Sequence, residues 1–366
     1  MSTTVVGGAM LPHAPQFFTM PPTEDRGTVE QVRAVASEIG TKLRELKPDL
    51  WIIFANDHAE QFFHSVAPPF TIHVGGSSQG HFAGREFQWE IPGAIGLELV
   101  RQLYSQGFDP AFTSTAKFDY AMGIPLTHIG HTDPVLPIYI NAYLAPQPTM
   151  ARCYAFGEAI ARSVTALGLR TVVLASGGMS HFPGTDRYSN PELDWDRAAL
   201  ARIAAGNLKS LIGYDEDELD DKGNIELRCW ACAAGALGER KPDIVSLDPS
   251  WHHNYASVAW FGGGAAPRDL HYPSIKPELV GLTTALHGLA HEASARAEFR
   301  VDANSFAARF PLSPEQSRAL VLLDVPAMVT MGVHPLVAFL ANMQVQRREG
   351  KGPAPDQDST EIPPHL

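Results

Sequence analysis

The sequence predicts an α/β fold, a mostly parallel central sheet flanked by helices, with a small C-terminal all-α domain behind it. Three observations predict it. Short, continuous apolar runs such as Leu50–Ala55 (Leu-Trp-Ile-Ile-Phe-Ala) are what a sheet covered on both faces requires. Stretches of helical length and period alternate with those runs, as parallel pairing with crossover helices demands. Beyond about residue 280 the strand-like runs stop and only helical patterns remain.

Taken in chain order, Val5–Met10 reads as a strand that ends at Leu11-Pro12-His13-Ala14-Pro15. Thr28–Leu46 reads as an amphipathic helix. Val29, Val32, Val35, Ile39, Leu43 and Leu46 recur at steps of three and four, and Pro48 stops it. Leu50–Ala55 is a strand that runs into Asn56-Asp57-His58. Residues 62–92, rich in Gly, Pro and aromatics, form a loop or a small antiparallel excursion. Ala94–Gln106 and Ala155–Leu167 are helices followed by Gly107 and Gly168 as C-terminal caps. Val135–Asn141 and Thr171–Ala175 are strands, the latter leading into Ser176-Gly177-Gly178-Met179-Ser180-His181. Asp194–Leu211 and Glu226–Leu237 are helices, and Tyr255–Phe261 is a strand. Gly262-Gly263-Gly264 has no following phosphate-binding helix and reads as a turn. Helices at Leu282–Ala297, Ser313–Leu323, Pro326–Met331 and Pro335–Arg347 make up the C-terminal part. The expected domains are 1–268 and a small helical, lid-like 276–347, with 350–366 as a disordered tail rich in Pro, Asp and Glu.

Bulk properties narrow the function. A chain of 366 residues with 45% hydrophobic and 19% charged residues is a well-cored globular protein. A net charge of −12 argues against nucleic acid and against an anionic membrane surface as partners. Cys153, Cys229 and Cys232 do not make a disulfide framework, and a reducing compartment is expected. With no basic-then-apolar start at Met1–Met10 and no apolar run of membrane length, a cytoplasmic protein is expected.

The chemistry lies at the strand ends. In an open parallel sheet the C-terminal ends of the strands share one crevice. His13, His58 and His181 each follow such an end, and Gly177-Gly178 lets backbone approach a ligand closely. Imidazoles gathered there can bind a metal. Two of them with a carboxylate suit oxygen-activating iron(II), and three N/O ligands with a water suit hydrolytic zinc. Glu226, opening a helix beside Arg228, is a candidate third ligand. Cys229 and Cys232, at i and i+3, read as buried inert thiols. His252-His253 reads as a loop at the sheet end, and His64, His73 and His81 as residues near a substrate entrance.

At these residues the chain resembles the class III, or protocatechuate 4,5-dioxygenase type, extradiol ring-cleaving dioxygenases. The matching pieces are Pro12-His13-Ala14-Pro15, Asn56-Asp57-His58, Ser176–His181, and Glu226-Leu227-Arg228-Cys229-Trp230 with Gly235-Ala236. The resemblance spans roughly residues 5–265. It implies Fe(II) held by His13, His58 and Glu226, with His181 as acid/base, and a small aromatic substrate and O2 as reactants. Phe299-Arg300-Val301-Asp302, Phe306, Leu312–Gln316 and Met331-Gly332 resemble the small helical subunit of the same family. Here it is fused behind the catalytic part, as in gallate dioxygenase-like enzymes, and the fusion points to a homodimer.

One departure matters. The family pattern has Asp-His-Gly before a Pro-Leu pair, whereas this chain has Asp119-Tyr120-Ala121-Met122-Gly123-Ile124-Pro125-Leu126. Tyr120 replaces an imidazole that assists substrate, and His128 or His131 is expected to compensate. The departure admits a hydroxypyridone, an aminophenol or a substituted catechol as substrate. Tyr120 and His128 are expected to orient it, Asp57 to support the metal ligands from behind, and Phe17, Phe18, Phe62 and Phe63 to exclude water. A zinc-dependent hydrolase and a metal-free binding protein are the competing readings.

Overall fold

The computed structural model describes residues 4–262 and 275–346. The chain divides into two compact units, 1–266 and 267–366. Ten strands lie in the first: β1 (Val5–Leu11), β2 (Leu50–Ala55), β3 (Phe70–His73), β4 (Ser77–Phe82), β5 (Arg85–Glu90), β6 (Ala111–Thr113), β7 (Leu136–Ile140), β8 (Thr171–Ser176), β9 (Ile244–Pro249) and β10 (Asn254–Phe261). Its helices are α1 (Gln16–Thr19), α2 (Arg26–Glu45), α3 (Gly93–Ser105), α4 (Tyr120–His128), α5 (Met150–Ala166), α6 (Leu193–Ala204), α7 (Glu216–Asp221) and α8 (Leu227–Leu237).

Eight strands form one sheet in the order β6-β3-β7-β2-β8-β1-β10-β9, and β4 pairs with β5 apart from it. The four central strands β7, β2, β8 and β1 are parallel. Antiparallel pairings occur between β3 and β7 on one side and among β1, β10 and β9 on the other. Side chains alternate between faces along each strand. Ile52 and Phe54 enter one core with α5 and α8, while Trp51, Ile53 and Ala55 enter the other with α2 and α4. Both faces are therefore covered, and the central strands are wholly buried. The tightest helix contact, between α5 and α8, depends on two glycines. A Cβ on Gly157 would lie 1.8 Å from the Cys232 carbonyl, and one on Gly235 2.0 Å from that of Tyr154.

Several local expectations are corrected. The 62–92 segment holds the expected antiparallel excursion, the β4–β5 hairpin, and in addition supplies β3 to the main sheet. Helix α4 was not expected, because it contains Pro125 and is apolar on every side, which leaves no stripe to read. The 194–211 helix ends at Ala204, beyond which Gly206 takes φ +90° and a 3-10 turn follows. Strand β9 is a half-exposed edge with no apolar run.

The second unit is helical where described: α9 (Val280–His291), α10 (Ala293–Val301), α11 (Ala303–Ala307), α12 (Pro314–Leu322), α13 (Val325–Met331) and α14 (Pro335–Gln346). The single helix expected over 282–297 is broken at Glu292. Leu282, Leu286, Leu289, Phe299, Phe306, Leu320 and Met328 make its own core. Gly263 and Gly264 of the expected turn, and the 350–366 tail, lie outside the described residues.

Candidate active site

The topology brings distant segments to one sheet edge. β1, β2 and β8 are neighbours and parallel, so their C-terminal ends deliver His13, His58 and His181 to a common crevice. β10 runs the opposite way, so its beginning, preceded by His252 and His253, opens at the same edge. Glu226 stands at the N-terminal end of α8 without a capping bond from its side chain to the helix amides.

Buried His13 and Glu226 and partly buried His58 form a trio whose ligand-type atoms all lie within 4.8 Å of one another. His13 Nε2 is 3.1 Å and His58 Nε2 3.7 Å from Glu226 Oε1. The far side of each ring fixes its orientation. Ser176 donates its hydroxyl to the Ala121 carbonyl, so its oxygen accepts from His13 Nδ1 at 2.9 Å. Asp119, wholly buried, accepts from His58 Nδ1 at 2.8 Å and from the His58 amide at 3.0 Å. Glu226 Oε2 accepts from the Gly178 amide at 2.8 Å. Two imidazole lone pairs and a carboxylate oxygen thus face one another, with the Asn56 amide, 3.3 Å from Glu226 Oε1, donating among them.

Such a cluster attracts positive charge. Burial works against a charged His58, yet Asp119 and then Glu226 hold its imidazole up at about 10. Burial likewise opposes an ionised Glu226, but His13, His181 and His58 keep it well below the usual carboxylate range. A proton, or in its place a metal cation, satisfies this arrangement. Arg228 makes no ion pair with Glu226; its guanidinium donates to the carbonyls of Pro148 and Ile225.

His181 lies beside the trio, its Nε2 4.0 Å from Glu226 Oε1. Its Nδ1 is 2.8 Å from the Met179 carbonyl, which can only accept, so the ring proton sits on Nδ1 and Nε2 is a base. Burial lowers its pKa. The ring stacks on His253 with centroids 4.2 Å apart and planes 8° apart. Tyr120 stacks on His58 at 4.2 Å, and burial, then Asp119, raises its phenol pKa so that it stays protonated.

A cavity of about 310 Å³ opens over these residues. Its apolar lining includes Tyr143, Phe182, Pro183 and Ile225, and its polar lining Gln16, Tyr188, His252 and His253. This corrects four expectations. Phe17 is buried between His128 and Tyr255, Phe18 lies against Phe87 and His128, Phe62 packs on Tyr139, and Phe63 faces solvent, so none lines the cavity. His128 is enclosed by Phe17 and Phe18, where burial and then Arg33 and Arg85 push its pKa down to about 3. His131 packs on Trp51. Neither reaches the cavity to compensate for Tyr120. Asp57 accepts from the amides of Gln61 and Phe62, and the carboxylate behind His58 is Asp119 instead. His64, His73 and His81 are not among the lining residues; His73 bonds the Ala116 carbonyl. Cys229 and Cys232 are fully buried free thiols.

Comparison with known proteins gives a family match. The model described as the catalytic LigB subunit of aromatic ring-opening dioxygenase matches residues 7–262. A 2,3-dihydroxyphenylpropionate/2,3-dihydroxicinnamic acid 1,2-dioxygenase of Cupriavidus necator is 28% identical, over 68% of this chain and 96% of that protein. One of the same description from Klebsiella pneumoniae is 30% identical, over 68% of this chain and 76% of that protein.

Proposed function

The chain belongs to the family of catalytic LigB subunits of aromatic ring-opening dioxygenases, and from that premise we propose that it opens a ring bearing adjacent hydroxyls, or a hydroxyl beside an oxo or amino group, with His13, His58 and Glu226 holding iron(II). The observation that carries this reading is the convergence of two imidazole lone pairs and one carboxylate oxygen within 4.8 Å. Two His and one carboxylate suit oxygen-activating iron(II). Iron(II) held there would supply redox chemistry toward O2 and would acidify a ring hydroxyl.

The chain's own residues supply the rest. Asp119 and Ser176 keep both Nε2 atoms turned inward. His181 Nε2 would accept a proton from a ring hydroxyl and later return it, with the Met179 carbonyl holding the tautomer. Tyr120, protonated and stacked on His58, would donate a hydrogen bond where the family pattern has an imidazole. Tyr143, Phe182, Pro183 and Ile225 would keep water off the reacting ring. We read 276–347 as a counterpart of the family's small helical subunit, fused behind a catalytic domain at 1–268.

The test is anaerobic loading with iron(II), then oxygen uptake with catechols, gallates, aminophenols and hydroxypyridones. Uptake that needs iron and falls by about three orders of magnitude or more in His13→Ala and Glu226→Ala is the expected result. Tightly held zinc, or no metal, with no uptake for any compound would instead favour the hydrolase or the binding protein.

A further inference from the structure

We propose that the ring this site accepts carries an uncharged substituent that can both donate and accept hydrogen bonds, and no carboxylate. The inference rests on the ring-opening reading for the rest of the substrate. From His181 a run of aromatic rings leads along the cavity to His253 (4.2 Å), His252 (6.2 Å) and Tyr188 (5.3 Å). Gln16 meets Tyr188 there, its Nε2 donating to the phenol oxygen at 3.1 Å. This polar side receives whatever the ring carries beyond its diol.

Its side-chain charges do not favour an anion. None of the described residues lining the cavity is Lys or Arg, and Asp220, which is not one of the metal ligands, is among them. Behind His252 lies Glu24, whose side chain is entirely buried. Glu24 accepts from Tyr255 at 3.0 Å and pairs with His252 Nε2 at 2.9 Å. One imidazole against one carboxylate offers no net positive charge whichever way the proton sits. Arg187 and Lys222, in adjoining segments, are each already paired with Glu192 and Asp221. A substrate carboxylate on this polar side, away from the metal ligands, would lose its water and meet no Lys or Arg among the described lining residues, which is costly. A guanidinium fork, which pairs bidentately with a carboxylate, is not among the described lining residues.

The same residues offer a neutral group what it needs. Gln16 Oε1 is buried and has no partner, so it awaits a donor. The Tyr188 phenol, accepting from Gln16, keeps its own hydrogen to give. An amide, a hydroxyl, or a ring N–H beside an oxo group can satisfy both. The 2,3-dihydroxyphenylpropionate in the names of the relatives bears a carboxylate, so this chain would differ from them in charge selection.

Matched pairs isolate charge from shape: 3,4-dihydroxybenzoate against 3,4-dihydroxybenzamide, and 3-(2,3-dihydroxyphenyl)propionate against its amide. Binding to the full-length, iron(II)-loaded protein is measured anaerobically by calorimetry. Oxygen uptake is then followed on admitting air. The expected result is that each amide binds at least about tenfold more tightly than its carboxylate, and that Gln16→Arg reverses the order by supplying the missing cation. Equal or tighter binding of the carboxylates, or no measurable binding of either amide, overturns the inference. Amides that bind preferentially but are not opened leave the charge selection standing and sink the ring-opening reading instead.

Discussion

Asp119→Asn separates the residue that positions His58 from one that merely neighbours it in sequence. The two Asp119 oxygens receive three donors: Oδ1 takes His58 Nδ1 at 2.8 Å and the Ala121 amide at 2.7 Å, and Oδ2 takes the His58 amide at 3.0 Å. An asparagine has one acceptor oxygen. In either orientation its NH2 faces at least one of these donors, inside a site with no solvent. That mismatch costs about 1–3 kcal/mol of folding stability. If the oxygen stays on His58 Nδ1, a charge-assisted bond becomes a neutral one, a loss of about 1–2 kcal/mol in the force that orients the ring. Converted at about 1.4 kcal/mol per tenfold, this predicts iron(II) affinity weaker by roughly one order of magnitude, within the 10–100-fold typical of groups behind metal ligands. Asp57→Asn is the control. Its oxygen Oδ2 takes only the amides of Gln61 and Phe62, both at 3.1 Å, and one amide oxygen can keep both. Iron affinity should then move by less than about threefold. Chelator competition under anaerobic conditions reads affinity, and urea melts of the metal-free protein read stability. Unchanged affinity in Asp119→Asn, or an equal loss in Asp57→Asn, would refute the assignment of the orienting carboxylate.

Two further outcomes follow from particular contacts. Gly178→Ala would put a Cβ 1.7 Å from His253 Nε2; the buried ring must leave its stack on His181, lowering stability by about 1–3 kcal/mol in thermal melts and removing the stacked His181–His253 signature from imidazole NMR spectra. Asp196, buried among Asn224, Asn254 and the Ser180 amide, has its pKa raised to about 6 by burial, against 3.8 in the unfolded chain. The native state then binds more protons than the unfolded state between these values, so this group stabilises most below about pH 4 and its contribution is lost as pH rises through 6, by about 3 kcal/mol in all. The difference in pH slope between wild type and Asp196→Asn, from urea melts, measures it; a slope difference of the opposite sign would contradict a raised pKa.

The parallel half of the sheet is legible in sequence because strands buried on both faces must be continuously apolar, as Leu50–Ala55 and Thr171–Ala175 are. The remainder fails for the complementary reason. β9 is an edge whose exposed residues include Val245 and whose run contains Ser246 and Asp248, so it lacks the apolar signal. β3 and β6 have four and three residues, too few for a period to show. Helix α4 is buried over six consecutive residues, Ala121–Leu126, and amphipathicity vanishes where all faces are inside.

The candidate site divides along the same line, and the division has a physical cause. His13, His58 and His181 are predictable as a group because each follows a parallel strand, and all such strands end at one edge. His252 and His253 precede a strand instead. They share that edge only because β10 is antiparallel to β1, and no local pattern around Tyr255–Phe261 reveals strand direction. Glu24, 228 residues from His252, is tied to it through a loop with no periodicity at all. Asp57 and Asp119 make the same point at shorter range. Adjacency in the chain favours Asp57, but the Asp57 side chain turns toward the amides of its own loop, while α4, which no pattern predicts, carries Asp119 to the His58 ring at its N-terminus. The two imidazoles that would hold the metal are thus readable from strand direction, whereas Glu226, at the start of α8, is not. Those that would choose the ring substituent come from four separate segments: Gln16 after β1, Tyr188 in the loop after β8, and His252 with Glu24 behind it. Only three-dimensional contacts bring them together.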